Sequence, residues 1–425
     1  MKAERLVIVD GIRTAFCKAG TELARSGADE LGRVAVNALL ARTGLDPARI
    51  DEVIFGCVGQ PVEAANVARV IALRAGIPER VPAVTVHRNC ASGLEAITQA
   101  YEKLAAGRGA IFVVGGTESM SQIPLLFKPA AVEKFAALSK AKTLSRKLNA
   151  RLAFRPSDFQ PRIGLLLGLT DPVCGMNMGE TAELLAREFG VSREEQDAFA
   201  LESHQKASAA RERLAEEICP VYLARSTVTA DNGPRPNQTP EALAKLKPVF
   251  DRKTGTVTAG NASQITDGAV ALLVMSETKA LELGFTPLGS LVGYSYAGCD
   301  PSRMGLGPVF AIDKAERQTG FKLADADLVE INEAFAAQVL SVLKASESDK
   351  FSRKILGREQ PVGRIDRQKL NVNGGAIALG HPVGATGARL VLTSLRELRR
   401  RNAKRALVSV CVGGGQGAAV WLEAR

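Results

Sequence analysis

Cys90 stands where an apolar run, Val84–Val86, gives way to a helical pattern marked by Leu94, Ile97, Tyr101 and Leu104. A sulfur at such a junction sees the free N–H groups and the positive end of the helix, which lower a thiol from its usual pKa of about 8.5 toward the nucleophilic thiolate. Its neighbours Ala91, Ser92 and Gly93 are small enough to let a bulky group approach. His381 is held in a glycine-rich stretch, Gly374–Gly387, just before another helical pattern, and a neutral imidazole there could take the proton of Cys90. Cys411 ends an apolar run and precedes Val412-Gly413-Gly414-Gly415-Gln416-Gly417. Strand ends at glycine turns are where open α/β sheets place ligands. Asn332, in Asn332-Glu333-Ala334-Phe335, closes a further run and could donate to an oxyanion or orient a water. Each residue also fits a plain packing or turn role. His87 and His204 read as structural or solvent-facing.

These residues need strand ends and helix starts to hold them, and the chain supplies both in alternation. Leu6–Val9, Val53–Val58, Val84–Val86 and Ile111–Val114 read as strands, the last closed by Gly115-Gly116, with a helix over Leu31–Leu39. The pattern recurs with Leu291–Gly293, Leu328–Ile331 followed by a helix from Glu333, Leu370–Val372, a helix through Val391, Leu395 and Leu398, and Leu407–Val412. Strand, turn, helix, strand and Gly-Gly therefore occur around 84–116 and again around 370–415. The alternation predicts an α/β protein with a largely buried sheet, built as two similar halves around a mixed insertion from about 121 to 261. Within that insertion Ser192 to Glu216 reads as one long helix, with Ser192 as N-cap and Glu195 completing a capping box.

Composition narrows the function classes. Hydrophobic residues make up 46% and charged residues 24%, so a folded globular chain is expected. The seven cysteines form no CxxC pair, which argues against a zinc ribbon or disulfide framework and for reduced thiols. No apolar stretch approaches the roughly 18 residues of a membrane span, and Leu6–Val9 is too short for a secretory core. A cytoplasmic protein without a metal site is expected. The net charge is +10. Nine basic residues against two acidic ones between Ser121 and Arg162 place most of it in one Leu- and Phe-rich segment. That segment reads as one or two amphipathic basic helices, a solvated face or a surface for an anion, and not as a nucleic-acid arm. The run Gly413–Gly417 lies too near the chain's end to open a dinucleotide-binding βαβ unit.

Six blocks, in this order, resemble the thiolases over nearly the whole chain: Asn89–Gly93, Gly115–Ser121, Gly255–Ser263, Asn332–Phe335, Gly380–Pro382 and Cys411–Gly415. The resemblance implies a five-layer αβαβα fold of two βαβαβαββ halves. The first half would be 1–120 with 262–285, the second 286–425, and 121–261 an inserted loop domain. It implies an acyltransferase that cleaves 3-ketoacyl-CoA to acetyl-CoA and a shortened acyl-CoA, or runs the reverse condensation. Cys90 would be acylated, His381 would activate it, and Cys411 would move a proton at the α-carbon of the second acyl-CoA. Asn332 would hold a water that lines one oxyanion hole with His381, and the N–H groups of Cys90 and Gly413 would form another. Ser263 would lie near the pantetheine and Arg235 near the adenosine phosphate of coenzyme A. CoA and acyl-CoA would be substrates, with no permanently bound cofactor. A homodimer or homotetramer is implied. The basic segment 121–170 resembles the thiolase subunit of fatty-acid-oxidation trifunctional complexes, which adds a hydratase/dehydrogenase subunit and a membrane surface as candidate partners. Asn177-Met178-Gly179 departs from the His-Met-Gly of short-chain members, and Asn332 departs from the His that several trifunctional-complex members carry there. Medium- or long-chain substrates are favoured. An enzyme specific for acetoacetyl-CoA and a ketoacyl synthase-like condensing enzyme are the alternatives. Ketoacyl synthases commonly use a Cys-His-His set, whereas Cys411 holds the second histidine's place here.

Overall fold

Alternate residues of each strand sort into different cores, and that sorting defines the layers. In a computed structural model that describes residues 4–425, Val53, Phe55, Ile111 and Val113 face one core while Ile54, Phe112 and Val114 face another. The first core is closed by helices Ala28–Thr43 and Val67–Arg74. The second is shared by both halves: it contains Leu94 and Ile97 of helix Ser92–Ala105, Val391 and Leu395 of helix Val383–Arg400, and Val408 and Val420 of the later strands. A third core holds Leu407 and Trp421 against helices Gly307–Thr319 and Ala336–Glu347. Helix, sheet, paired central helices, sheet and helix follow one another, giving the five layers. Burying a large aliphatic side chain stabilises by about 1.5–3 kcal/mol, so these three cores, not strand hydrogen bonds alone, fix the stacking.

The first half's strands run in the order Leu6–Thr14, Thr266–Ser276, Ile111–Ser119, Glu52–Gly56, Ala83–Val86. The second half's run Gly289–Gly298, Gln416–Ala424, Arg405–Val412, Leu328–Ile331. In each half three strands pair antiparallel and the ladder then turns parallel. The halves meet through Val7 opposite Ser290 and Ile8 opposite Gly289. The first three residues of the expected 1–120 half lie outside the described residues.

Several boundaries differ from the sequence reading. Gly115-Gly116 does not close its strand, which continues to Ser119. These glycines answer a packing need: a Cβ at Gly115 would lie 2.0 Å from the Val270 carbonyl oxygen, and one at Gly116 would lie 1.9 Å from that of Gly384. The helix after Ile331 begins at Ala336, leaving Asn332–Phe335 as its approach. Leu370 makes only an isolated parallel bridge with Val329, in the place where the first half has a full strand. The expected helix from Ser192 divides into Arg193–Ala209 and Arg211–Ala215, although the Ser192–Glu195 capping box is present.

The chain between the paired strands Ile111–Ser119 and Thr266–Ser276 crosses over the strand ends. Its two-residue ladder, Leu125–Leu126 with Arg162–Ile163, encloses helices Pro129–Lys140 and Leu144–Leu152. Phe127, Phe135, Phe154 and Phe159 stack there at 4.8–6.3 Å between ring centroids, a small apolar centre of its own.

Candidate active site

The two central helices are positional equivalents, and their N-termini meet. A Cβ on Gly93 would lie 2.7 Å from the Ala388 nitrogen, and one on Gly387 would lie 2.7 Å from that of Leu94. This close crossing brings the residues just before each helix, Cys90 and His381, into the wall of one cavity of about 600 Å³. Cys411, Gly413 and Ser263 line the same cavity.

Cys90 is delivered by a strained turn. Asn89 holds φ 42°, a left-handed conformation that Asn tolerates better than most side chains. Its amide donates to the Gly413 carbonyl at 2.7 Å, tying the Cys90 turn to the glycine run after Cys411. The Ser92 hydroxyl donates to the Asn89 carbonyl at 2.7 Å and accepts from the Arg88 N–H at 2.9 Å. Burial pushes the Cys90 thiol up; the N–H groups of Gly413 and of Cys90 itself oppose this, and the Glu118 carboxylate adds to it. The expectation that the helix start lowers this thiol is therefore corrected: desolvation outweighs the donors, and the resting sulfur is protonated. Burial also pushes Cys411 well up, with the neighbouring Cys90 sulfur as the next cause.

His381 is oriented from behind. Its Nδ1 lies 2.6 Å from the Thr386 Oγ1, and that hydroxyl lies 3.0 Å from the Pro382 carbonyl. The single hydroxyl proton goes to the carbonyl, so Thr386 accepts from Nδ1–H and leaves Nε2 as the basic nitrogen. Burial, and then the positive Arg389, lower the His381 pKa to about 4, keeping the ring neutral. Nε2 lies 3.4 Å from the Asn332 amide nitrogen. Asn332 is fully buried, and its Oδ1 finds no protein partner. Its neighbours are pinned by Asn371, whose side chain accepts from Ile331 N–H at 2.9 Å and donates to the Ile331 carbonyl at 3.0 Å and to Glu333 at 2.9 Å.

Ser263 is fixed by its N–H to the Ala334 carbonyl at 2.9 Å. Arg235 is not brought to the cavity: it is exposed, and its backbone N–H donates to His204 Nδ1 at 3.2 Å. His87 is exposed and His204 buried, and His381 is the only histidine among the cavity's lining residues. The cysteines are all free. Among the described residues no group of acidic, His and Cys side chains has the arrangement of a metal site, and no helix is long and apolar enough to cross a membrane.

Sequence reasoning missed three residues. Thr386 fixes the imidazole tautomer. Asn89 links the two sulfur-bearing turns. Glu118 accepts from the N–H groups of Val58, Gly59 and Gly384 at 2.8–3.1 Å, joining loops of both halves beneath the cavity. A carboxylate ending an otherwise apolar strand was the available signal for Glu118. Thr386, five residues after His381, gives none before the helix is built.

A thiol, a neutral imidazole with a free Nε2, a second thiol and converging N–H groups in one cavity define a cysteine-dependent acyl-transfer site on a two-half α/β scaffold. The family model described as Thiolase, N-terminal domain, matches residues 6–278, and that for Thiolase, C-terminal domain, matches 285–424. The 3-ketoacyl-CoA thiolase of Yersinia enterocolitica is 41% identical over 99% of this chain and 97% of its own. That of Serratia proteamaculans is 42% identical over the same shares. Among solved structures, the Bacillus anthracis acetyl-CoA acetyltransferase superposes with TM-score 0.87 and 38% identity, covering 100% of this chain and 99% of that one. Human mitochondrial 3-ketoacyl-CoA thiolase in complex with CoA gives 0.85 and 38%, covering 100% and 98%. The chain belongs to the thiolase family and is an acyltransferase.

Proposed function

We propose that this chain is a 3-ketoacyl-CoA thiolase of fatty-acid β-oxidation acting on medium- or long-chain substrates. The convergence of Cys90, His381, Cys411 and Gly413 on one apolar-walled cavity carries the reading. His381 Nε2 takes the Cys90 proton, and the thiolate attacks the 3-keto carbon. The C2–C3 bond breaks, and Cys411 gives its proton to the departing acetyl-CoA carbanion. The proton on His381 passes to the Cys411 thiolate, the freed imidazole takes the proton of the coenzyme A thiol, and the CoA thiolate attacks the acyl-Cys90 thioester; His381 then protonates the leaving Cys90 sulfur as the shortened acyl-CoA departs. The thiol has to lose its proton only when substrate is bound, which suits a protonated resting sulfur beside a neutral ring. The N–H groups of Cys90 and Gly413 stabilise the tetrahedral oxyanion on the acyl carbon. Asn332, through a water, and His381 receive the thioester oxygen of the acetyl unit. Ser263 contacts the pantetheine and Arg235 the adenosine phosphate.

Coenzyme A is thus a substrate, and no permanently bound cofactor is invoked. We read 1–120 with 262–285 and 286–425 as the two halves, and 121–261 as the loop domain that binds CoA. The exposed Leu144, Leu148 and Leu152 beside Lys142, Arg146, Lys147 and Arg151 support a peripheral contact of 121–170 with an anionic membrane in the cytoplasm. A homodimer or homotetramer, joined by a hydratase/dehydrogenase subunit, completes the reading.

Cys90→Ala abolishes thiolysis, by about 10⁴-fold or more, with the melting transition retained. Unchanged turnover would end the proposal. The acetoacetyl-CoA-specific reading is favoured by the Bacillus anthracis neighbour's name alone, and turnover confined to the four-carbon substrate would establish it. A condensing enzyme that decarboxylates malonyl thioesters is disfavoured by Cys411, which stands where a second histidine is needed.

A further inference from the structure

Most glycines in this chain answer identifiable needs. Apart from Gly168 and Gly298, every glycine either has a left-handed φ or has a neighbour within 3.3 Å of where a Cβ would stand. Gly168 has neither: its φ lies outside the left-handed region, and an added Cβ would meet nothing within 4 Å. It ends the short helix Gly164–Gly168, where Gly is a poor helix former, so local structure gives no reason for it. It does line the cavity that holds Cys90.

The same helix forms one wall of that cavity and carries apolar side chains out to its rim. Leu165, Leu167 and Ile123 line the cavity, and Leu167 and Val173 are 41% and 82% exposed. The start of the helix is seated on the loop through Ile123, since a Cβ at Gly164 would lie 3.2 Å from the Ile123 side chain and 2.4 Å from the Pro124 carbonyl. The wall is therefore anchored at one end and open at the other. Apolar side chains leading from a buried sulfur to solvent suit a long alkyl chain and give nothing for a polar group to bond.

We infer that helix Gly164–Gly168 is the acyl-chain wall of this enzyme and that Gly168 sets the chain length it accepts, by leaving open the space through which a long alkyl chain passes. This rests on the thiolase reading above and names the substrate class of the same site. A side chain at 168 narrows the passage beyond the first few carbons and leaves the reacting centre untouched. Short acyl groups do not reach it.

The experiment compares thiolysis of four-carbon and sixteen-carbon 3-ketoacyl-CoA by the full-length protein, Gly168→Ala and Gly168→Leu. For Gly168→Leu the sixteen-carbon kcat/KM falls about tenfold or more while the four-carbon value stays within about twofold, and Gly168→Ala lies between. The KM for CoA is unchanged in both. Ala is the better helix former, so Gly168→Ala melts no lower than the parent and keeps the test alive should the leucine variant misfold. Equal losses on both substrates, or a parallel rise in the KM for CoA, would place Gly168 on the pantetheine side and overturn the inference. Equal activity of all three proteins on sixteen carbons would do the same. A parent that turns over four carbons but not sixteen would sink the long-chain reading and this inference together; a parent inactive on both would sink the thiolase reading itself.

Discussion

The helices Ser92–Ala105 and Val383–Arg400 occupy equivalent places in the two halves, yet they present their reactive residues differently. The first keeps a partly exposed side, with Lys103 at the surface side of the sheet paired to Glu52. The second is buried along 14 of its 18 residues, including Arg389 with no exposure. Cys90 precedes the more open helix and is held by a turn in which Asn89 reaches across to Gly413. His381 precedes the buried helix and is held by the helix itself, through Thr386. The sulfur, which must meet a large substrate, is delivered by a loop that bridges the halves. The base, which must keep one tautomer, is held by the more deeply buried of the two helices.

The sharpest way to break that contrast is Thr386→Val. It is nearly isosteric but leaves Nδ1–H without an acceptor, freeing the ring to turn or change tautomer. We expect kcat for thiolysis to fall about 10–100-fold, because partners that orient a reactive imidazole are typically worth that much. An acid limb shifted toward lower pH would accompany it, because the acceptor that is lost favours the charged ring. Wild-type kcat in the valine variant would show that the helix does not set the tautomer.

The crossing of the helices can be tested by stability. Gly387→Ala places a Cβ 2.7 Å from the Leu94 backbone nitrogen, and Gly93→Ala places one 2.7 Å from that of Ala388. Each should cost about 1–3 kcal/mol in denaturant unfolding, since backbone cannot give way as a side-chain end can. The double variant should cost less than the sum, because the first shift opens room for the second. Strict additivity would mean that the helices do not share that contact.

The smallest effect concerns pH. His381 and His204 both have pKa lowered from 6.5 to about 4 by burial. The unfolded chain then takes up these protons first, so their contribution to stability is complete above about 6.5 and is lost as pH falls toward 4. His204 Nδ1 accepts from the Arg235 N–H, a bond that protonation removes. His204→Gln should therefore show a shallower loss of melting temperature between pH 6.5 and 4 than the parent. It should leave the acid limb of kcat/KM in place, because that limb belongs to His381. An unchanged melting slope would place the proton uptake elsewhere.

The sequence alone established the alternation of strands and helices, the division into two similar halves, the unpaired thiols and the blocks around Cys90, His381 and Cys411. Those features follow from periodicity and from residue chemistry, which are local. The tertiary structure decided what depends on distance between remote segments. Gly115 and Gly116 read as a turn, but their lack of side chains serves contacts with Val270 and Gly384, more than 150 residues away. The acidity of Cys90 read as that of a helix start, but burial by both halves reversed the balance. Thr386 had no local mark at all, because an acceptor for an imidazole exists only once a helix turn brings it back over His381. Desolvation and close approach are properties of the packed molecule, and no window of sequence contains them.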